Sequence, residues 1–171
     1  MTMARLLVFA VVAVSLLTSV PAVAQTPAAP APPAIPPYGA PIGLELARKV
    51  IAGAEAEARK NQWNMVIAVL DSGANLVALE RMDGASLGSI EVAKDKARSA
   101  VLFRRPTKVF QDAVAQGGAN LRLLGLTGLT PVEGGLPIVV DGKIVGSVGV
   151  SGAASDQDAQ CAKAGIDALS K

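Results

Sequence analysis

One dipeptide constrains the fold more than anything else in the chain. Asp141-Gly142 sits between the apolar runs Leu136–Val140 (LPIVV) and Lys143–Ser151 (KIVGSVGVS). Asp-Gly accepts the positive backbone angles that a two-residue hairpin turn demands, so the runs are expected to pair as antiparallel strands. A second pair of runs, Met65–Leu70 (MVIAVL) and Leu76–Arg81 (LVALER), is joined by the turn-rich loop Asp71-Ser-Gly-Ala-Asn75. Two hairpins, with no strand–helix–strand crossover inside either, call for an antiparallel sheet.

Helical periodicity fills the remaining stretches. Leu44, Ala47, Ile51, Ala54 and Ala58 form one stripe with Val50 beside it, and Glu45–Lys49 and Glu55–Arg59 are spaced for i,i+4 pairs. Ile90, Ala93, Ala97, Ala100 and Val101 make a second stripe, backed by outward Glu91, Lys94, Asp95 and Arg98, and Pro106 closes that helix. Thr107 is placed to cap a short helix over Lys108–Ala115 that stops at Gly117-Gly118. A last helix begins at Ser155 with Asp156 and Asp158 in its first turn and Ala159, Ala162, Ile166 and Leu169 as its stripe. Residues 119–135 are punctuated by glycine and proline, with room for one short strand. The order α-β-β-α-α-β-β-β-α describes an α+β domain over residues 43–171.

Two segments precede that domain. Met1–Arg5 is basic, Leu6–Val20 is uncharged and mostly apolar, and Ala22-Val-Ala24 is a small-x-small site. Together they predict a signal peptide over residues 1–24, and hence a periplasmic or secreted protein with no membrane contact after cleavage. A spanning anchor needs about 20 apolar residues, and this run is shorter and ends at Pro21. Residues 25–42 (QTPAAPAPPAIPPYGAPI) carry no charge and many prolines, which predicts a Pro/Ala-rich spacer.

The chain contains no histidine and one cysteine. A Ser-His-Asp or Cys-His nucleophile, a His-ligated zinc and a proximal-His haem are therefore unavailable. Sixteen Lys and Arg against 14 Asp and Glu leave a net charge of +2, too little for a nucleic-acid footprint. Gly146-Ser-Val-Gly149-Val-Ser-Gly152 matches neither phosphate-binding glycine pattern, so close packing is the leading reading of its glycines. Ser155-x-x-Asp158 reads as a capping box ahead of a metal site. Glu80-Arg-Met-Asp83 reads as solvated charge ahead of an iron site. Cys161 reads as a small buried group, because nothing in the chain activates it. Arg104-Arg105 complements a helix C-terminus, and beside Phe103 and Phe110 it could also grip a ligand's carboxylates.

At these residues the chain resembles a known family. Ala93-Lys-Asp-Lys-Ala97-Arg-Ser-Ala100, Phe103-Arg-Arg-Pro-Thr107, Gly134-Gly-Leu-Pro-Ile138, Asp141-Gly142, Ile144-Val-Gly-Ser-Val-Gly-Val-Ser-Gly152 and Asp158 stand in the order seen in the GlcG/HbpS-like haem-binding family. That family includes the C-terminal domain of PduO proteins. The resemblance covers about residues 43–170 and implies a profilin-like, five-stranded antiparallel sheet, ordered 2-1-5-4-3, between helices. It also implies homo-oligomers and, in some exported members, haem as cofactor. Charged residues make up only 18% of the chain against roughly 25% typically, which also favours self-association.

Carried onto this chain, the resemblance points to Phe103 and Phe110 as an apolar slot and Arg104 and Arg105 as propionate partners. Lys96 and Thr107 join them as cofactor-binding candidates. The metal ligand stays open among Thr107, Met82, Tyr38, Lys96 and Cys161, or water. The leading expectation is an exported, non-enzymatic haem- or tetrapyrrole-binding protein with a role in haem or iron sensing or scavenging. The second is a small-carboxylate sensor or enzyme using Arg104 or Arg105 with Glu133 as base. The third is a structural oligomer.

Overall fold

Met65–Leu70 is apolar without alternation because the strand it forms is covered on both faces. The computed structural model describes residues 34–170; the expected signal peptide and the first part of the Pro-rich stretch lie outside them. Within it β1 (Val66–Asp71) pairs antiparallel with β2 (Leu76–Arg81) on one side and β4 (Lys143–Ser151) on the other, and β3 (Gly135–Val140) closes the sheet beyond β4. The order is β2-β1-β4-β3. Val66, Ala68 and Leu70 face one helix layer and Ile67 and Val69 the other, and all five are buried. Burying each branched side chain contributes roughly 1.5–3 kcal/mol.

Helices α1 (Leu44–Lys60) and α4 (Ser155–Asp167) cover one face, and α2 (Gly88–Phe103) covers the other. On α1 the expected stripe is buried except Leu44, which sits exposed at the helix start. Glu55 pairs with Arg59 as spaced, whereas Glu45 takes Arg48 rather than Lys49. Small residues let α4 sit tightly on α1: a Cβ at Gly165 would lie 2.6 Å from the Val50 carbonyl oxygen.

The pattern of β4 accounts for its glycines. Val148 and Val150 point into the α1/α4 layer, while Ser147 and Gly149 point at α2. The Ser147 hydroxyl donates to Ala97 O at 2.7 Å, and a Cβ at Gly149 would run into the backbone of Ala93 and Ala97. Close helix–strand approach is thus the reason for the spacing that faintly resembles a nucleotide loop. At the β3–β4 turn Asp141 and Gly142 have φ of 49° and 71°, as a type I′ hairpin requires.

Among the described residues four strands form where five were expected. A 3-10 helix, Gly118–Gly125, occupies part of the stretch with room for a strand, because its glycines and prolines break any extended run. The second difference lies at the other end of the chain. Pairing between β1 and β4 stops at Gly146, which leaves the first residues of β4 without a neighbour on that side. The end of the Pro-rich stretch fills the gap. Ile144 N donates to Pro37 O, Gly39 N to Ile144 O and Ile42 N to Val145 O, each at 2.8 Å, and Ile42 is buried. Residues 36–42, expected to be spacer, form a strap on the domain.

Candidate functional site

Helix α2 ends where its sequence stops being helical, one residue before Arg104. Arg104 takes the left-handed conformation (φ 53°, ψ 39°), and the next amide, Arg105 N, returns to Ala100 O at 3.2 Å. Glycine is the usual residue here, because a Cβ costs roughly 1 kcal/mol in this region. The last turn also receives a donor from outside the helix: the Tyr38 hydroxyl shares its one proton between Val101 O at 2.8 Å and Leu102 O at 3.1 Å. The Arg104 guanidinium then stacks over the Tyr38 ring, 5.5 Å from its centroid.

Beside this corner lies an open cleft of about 290 Å³. Pro36 from the strap, Pro106, β3 residues Leu136, Pro137 and Val139, Ile144 of β4 and Ile166 of α4 give it apolar walls, and Arg104 is its charged member. No carboxylate among the described residues forms an ion pair with Arg104. Such a cleft suits a flat, apolar body bearing a carboxylate at its edge.

Most of the other candidates from the sequence are committed elsewhere. Phe103 and Phe110 meet edge-to-face with centroids 5.4 Å apart, so the expected slot between them is closed on itself. Arg105 is exposed and lies outside the cleft lining. Thr107 is buried at the start of α3 (Lys108–Ala115) without capping it. Instead it pins β3: Gly135 N donates to Thr107 Oγ1 and Thr107 N to Gly135 O, both at 2.9 Å. Glu133 is held through its backbone by Gln111 Oε1 at 2.8 Å, and its carboxylate stands 3.8 Å from Lys108 Nζ, away from the cleft lining.

Lys96 is the largest departure. It was expected as a cofactor-binding residue or iron ligand, yet only 1% of it is exposed. Its Nζ donates to Asp158 Oδ2 at 2.6 Å and to Val150 O at 3.1 Å, joining α2, α4 and β4. Asp158 Oδ1 also accepts from Ala153 N at 3.1 Å, so this acid closes a loop and a buried ion pair rather than a box with Ser155. Burial pushes the Asp158 carboxyl above its ordinary value, while Lys96 and the Ala153 and Gly152 amides pull it back. Gly134 lies directly against the pair with φ 122°; a Cβ there would be 2.9 Å from Lys96 Nζ.

The remaining iron-ligand candidates are equally constrained. Met82 is in the core, and the buried Cys161 thiol is pushed up to about 12 by burial and by Glu57 and Asp158. Glu80 and Asp83 are both exposed at the end of β2, and burial and the neighbouring Glu55 raise the Glu80 carboxyl. No group of three His, Cys, Asp or Glu among the described residues is placed to hold a metal ion. The cleft walls were missed from the sequence, although Leu136 and Pro137 lie in one of its most specific segments. The signal was the run of prolines at residues 36, 106 and 137, which only the fold brings together.

With this geometry in place, known proteins can be set beside it. The family model described as "Haem degrading protein HbpS-like" matches residues 42–167. Protein GlcG of Escherichia coli (strain K12) is 45% identical over 107 residues, 63% of this chain and 78% of GlcG. The crystal structure of HbpS superposes with a TM-score of 0.70 at 33% identity, covering 77% of this chain and 92% of that one. A crystal structure of a PduOC–haem complex superposes at 0.68 with 27% identity, covering 75% and 94%.

Proposed function

We propose that this chain, which belongs to the HbpS-like family, binds haem or a related tetrapyrrole in the cleft beside Arg104, as an exported, self-associating protein. The observation that carries the reading is the cation itself: an arginine in a backbone conformation suited to glycine, stacked at the mouth of an apolar cleft, without a carboxylate partner among the described residues. The chain's own residues fit the organic part of haem. Proline and branched side chains would cover one edge of the ring, and Arg104 would take a propionate, with exposed Arg105 within reach in sequence for the second. They do not fit iron ligation, since no cleft-lining side chain is an iron ligand. Bound haem would supply redox chemistry; the protein's share is to hold and orient the ring and to exclude water from one edge.

The helix–sheet–helix layering supports a profilin-like domain. A small apolar carboxylate would suit the same cleft, but Glu133, the base that reading needs, is engaged beside Lys108 and Gln111. Sensing or scavenging of haem or iron follows as the role of an exported binder.

Titration of haemin, followed at the Soret band, tests the proposal. Wild type is expected to bind, and Arg104→Ala with Arg105→Ala to bind about tenfold to a hundredfold more weakly, because a charge-assisted hydrogen bond contributes about 1.5–3 kcal/mol. An unchanged affinity in the double variant removes the cleft from consideration. A Soret band that forms and then bleaches with a reductant would show breakdown, as the family description states, in place of simple binding.

A further inference from the structure

We propose that the strap, residues 36–42, is a structural part of that ligand site, and that Tyr38 is the positioning residue of Arg104. The inference rests on the cleft reading above and deepens it, since it names what holds the cation in place.

Three observations meet at Tyr38. The residue is 46% exposed, so hydrophobic burial alone does not account for an aromatic residue there. Its hydroxyl donates to Val101 O in the last turn of α2 across 63 residues of sequence, which ties the strap to the helix end. The face of the ring carries the Arg104 guanidinium. A free arginine samples many rotamers and loses that freedom on pairing; one laid on an aromatic face has lost part of it already. The ring therefore prepares the cation for a carboxylate.

The rest of the strap serves the same place. Pro36 is a cleft wall, and the strap's backbone is bonded on both sides of Ile144, itself a cleft wall. Gly39 permits this close seat, since a Cβ there would stand 2.8 Å from Lys143 Cβ. The site is thus assembled from the end of the Pro-rich stretch and from the α2–α3 corner, and it is complete only while the strap is docked. Loss of the strap removes a wall, uncaps the helix and frees the arginine together.

The test uses the full chain with haemin as probe, at low and high salt, for Arg104→Ala, Tyr38→Ala, Tyr38→Phe and the Arg104→Ala/Tyr38→Ala pair. Tyr38→Ala is expected to weaken haemin binding about tenfold and to lose most of the salt dependence that Arg104→Ala loses. Tyr38→Phe, which keeps the ring, should recover the salt dependence and part of the affinity. The double variant should bind no more weakly than Arg104→Ala, because the ring acts through the guanidinium. If Arg104→Ala weakens binding while Tyr38→Ala is silent, or if the two losses add, the positioning role is overturned and the cleft stands. If Arg104→Ala is itself silent, the cleft reading has failed instead.

Discussion

Lys96 and Arg104 lie about two helical turns apart on the same segment, and the fold gives them opposite employment. Lys96 is buried, bonded to a carboxylate and a carbonyl, with Gly134 pressed against its ammonium group. Arg104 stands past the helix end, half-buried, stacked on an aromatic ring and facing an open cleft. A cation already neutralised inside the protein stabilises one arrangement of helices. One left at a rim in an unfavourable backbone conformation retains its capacity for an outside partner. The contrast separates a buried lock from an open rim within Ala93–Thr107, where the sequence offers Lys96 and Arg104 alike as cofactor-binding candidates.

The sharpest way to break this comparison is to remove the buried cation. Lys96→Met should destabilise the protein by about 3–5 kcal/mol, because it leaves Asp158 buried without its counter-charge. The loss should depend on pH. Without Lys96 the folded-state value of Asp158 rises further above its unfolded value, so the folded variant holds a proton that the unfolded chain releases. Both proteins lose stability as pH rises above about 4. Wild type stops losing it at its own raised Asp158 value, so the deficit of the variant grows from there up to its still higher value. Chemical denaturation of both proteins at acid and neutral pH checks this. A deficit under 1 kcal/mol at neutral pH would show that the pair does not act as a lock.

A second, smaller effect comes from the glycines that admit the lock. A Cβ at Gly135 would collide with the backbone carbonyl of Lys96, and backbone cannot swing aside. Gly135→Ala should cost about 1–3 kcal/mol. Gly125, at the end of the 3-10 segment, has nothing within 4 Å of its would-be Cβ. Gly125→Ala should lie within about 0.5 kcal/mol of wild type. Equal losses in thermal melts of the two variants would mean that close packing around Lys96 is not what the glycine run encodes.

The difference between lock and rim also marks how far the sequence could be read. Both hairpins and all of the main helices were legible, because period-2 and period-3.6 patterns and the Asp-Gly turn are local properties. Lys96 was not legible: it was taken for a ligand-binding residue because its true partner, Asp158, lies 62 residues away in the sequence. The strap was missed for a related reason. Its prolines predict an extended chain, and an extended chain is also what an unpaired stretch of β4 accepts as neighbour. Thr107 shows the same limit at close range: a threonine before a helix reads as a cap, yet its hydroxyl was taken by Gly135 across the fold. Arg104 alone among the six cofactor-binding candidates lines the cleft, and its signal was an arginine where a helix ending before proline would ordinarily place glycine.

That last point yields the smallest effect and the clearest separation of roles. Arg104→Gly removes the side chain while placing in the left-handed position the residue that occupies it without penalty. Relief of the backbone strain contributes up to about 1 kcal/mol, offset in part by the greater freedom of glycine in the unfolded chain and by loss of the stack on Tyr38. The melting temperature should therefore stay level or rise slightly, while haemin affinity falls as in Arg104→Ala. Arg104→Ala keeps the strain and loses the stack, so it should be the less stable of the two. A residue retained for stability would behave in the opposite way, with glycine costing more than alanine. If Arg104→Gly melts clearly below Arg104→Ala, the arginine is holding the α2–α3 corner together, and the distinction between the two cations collapses.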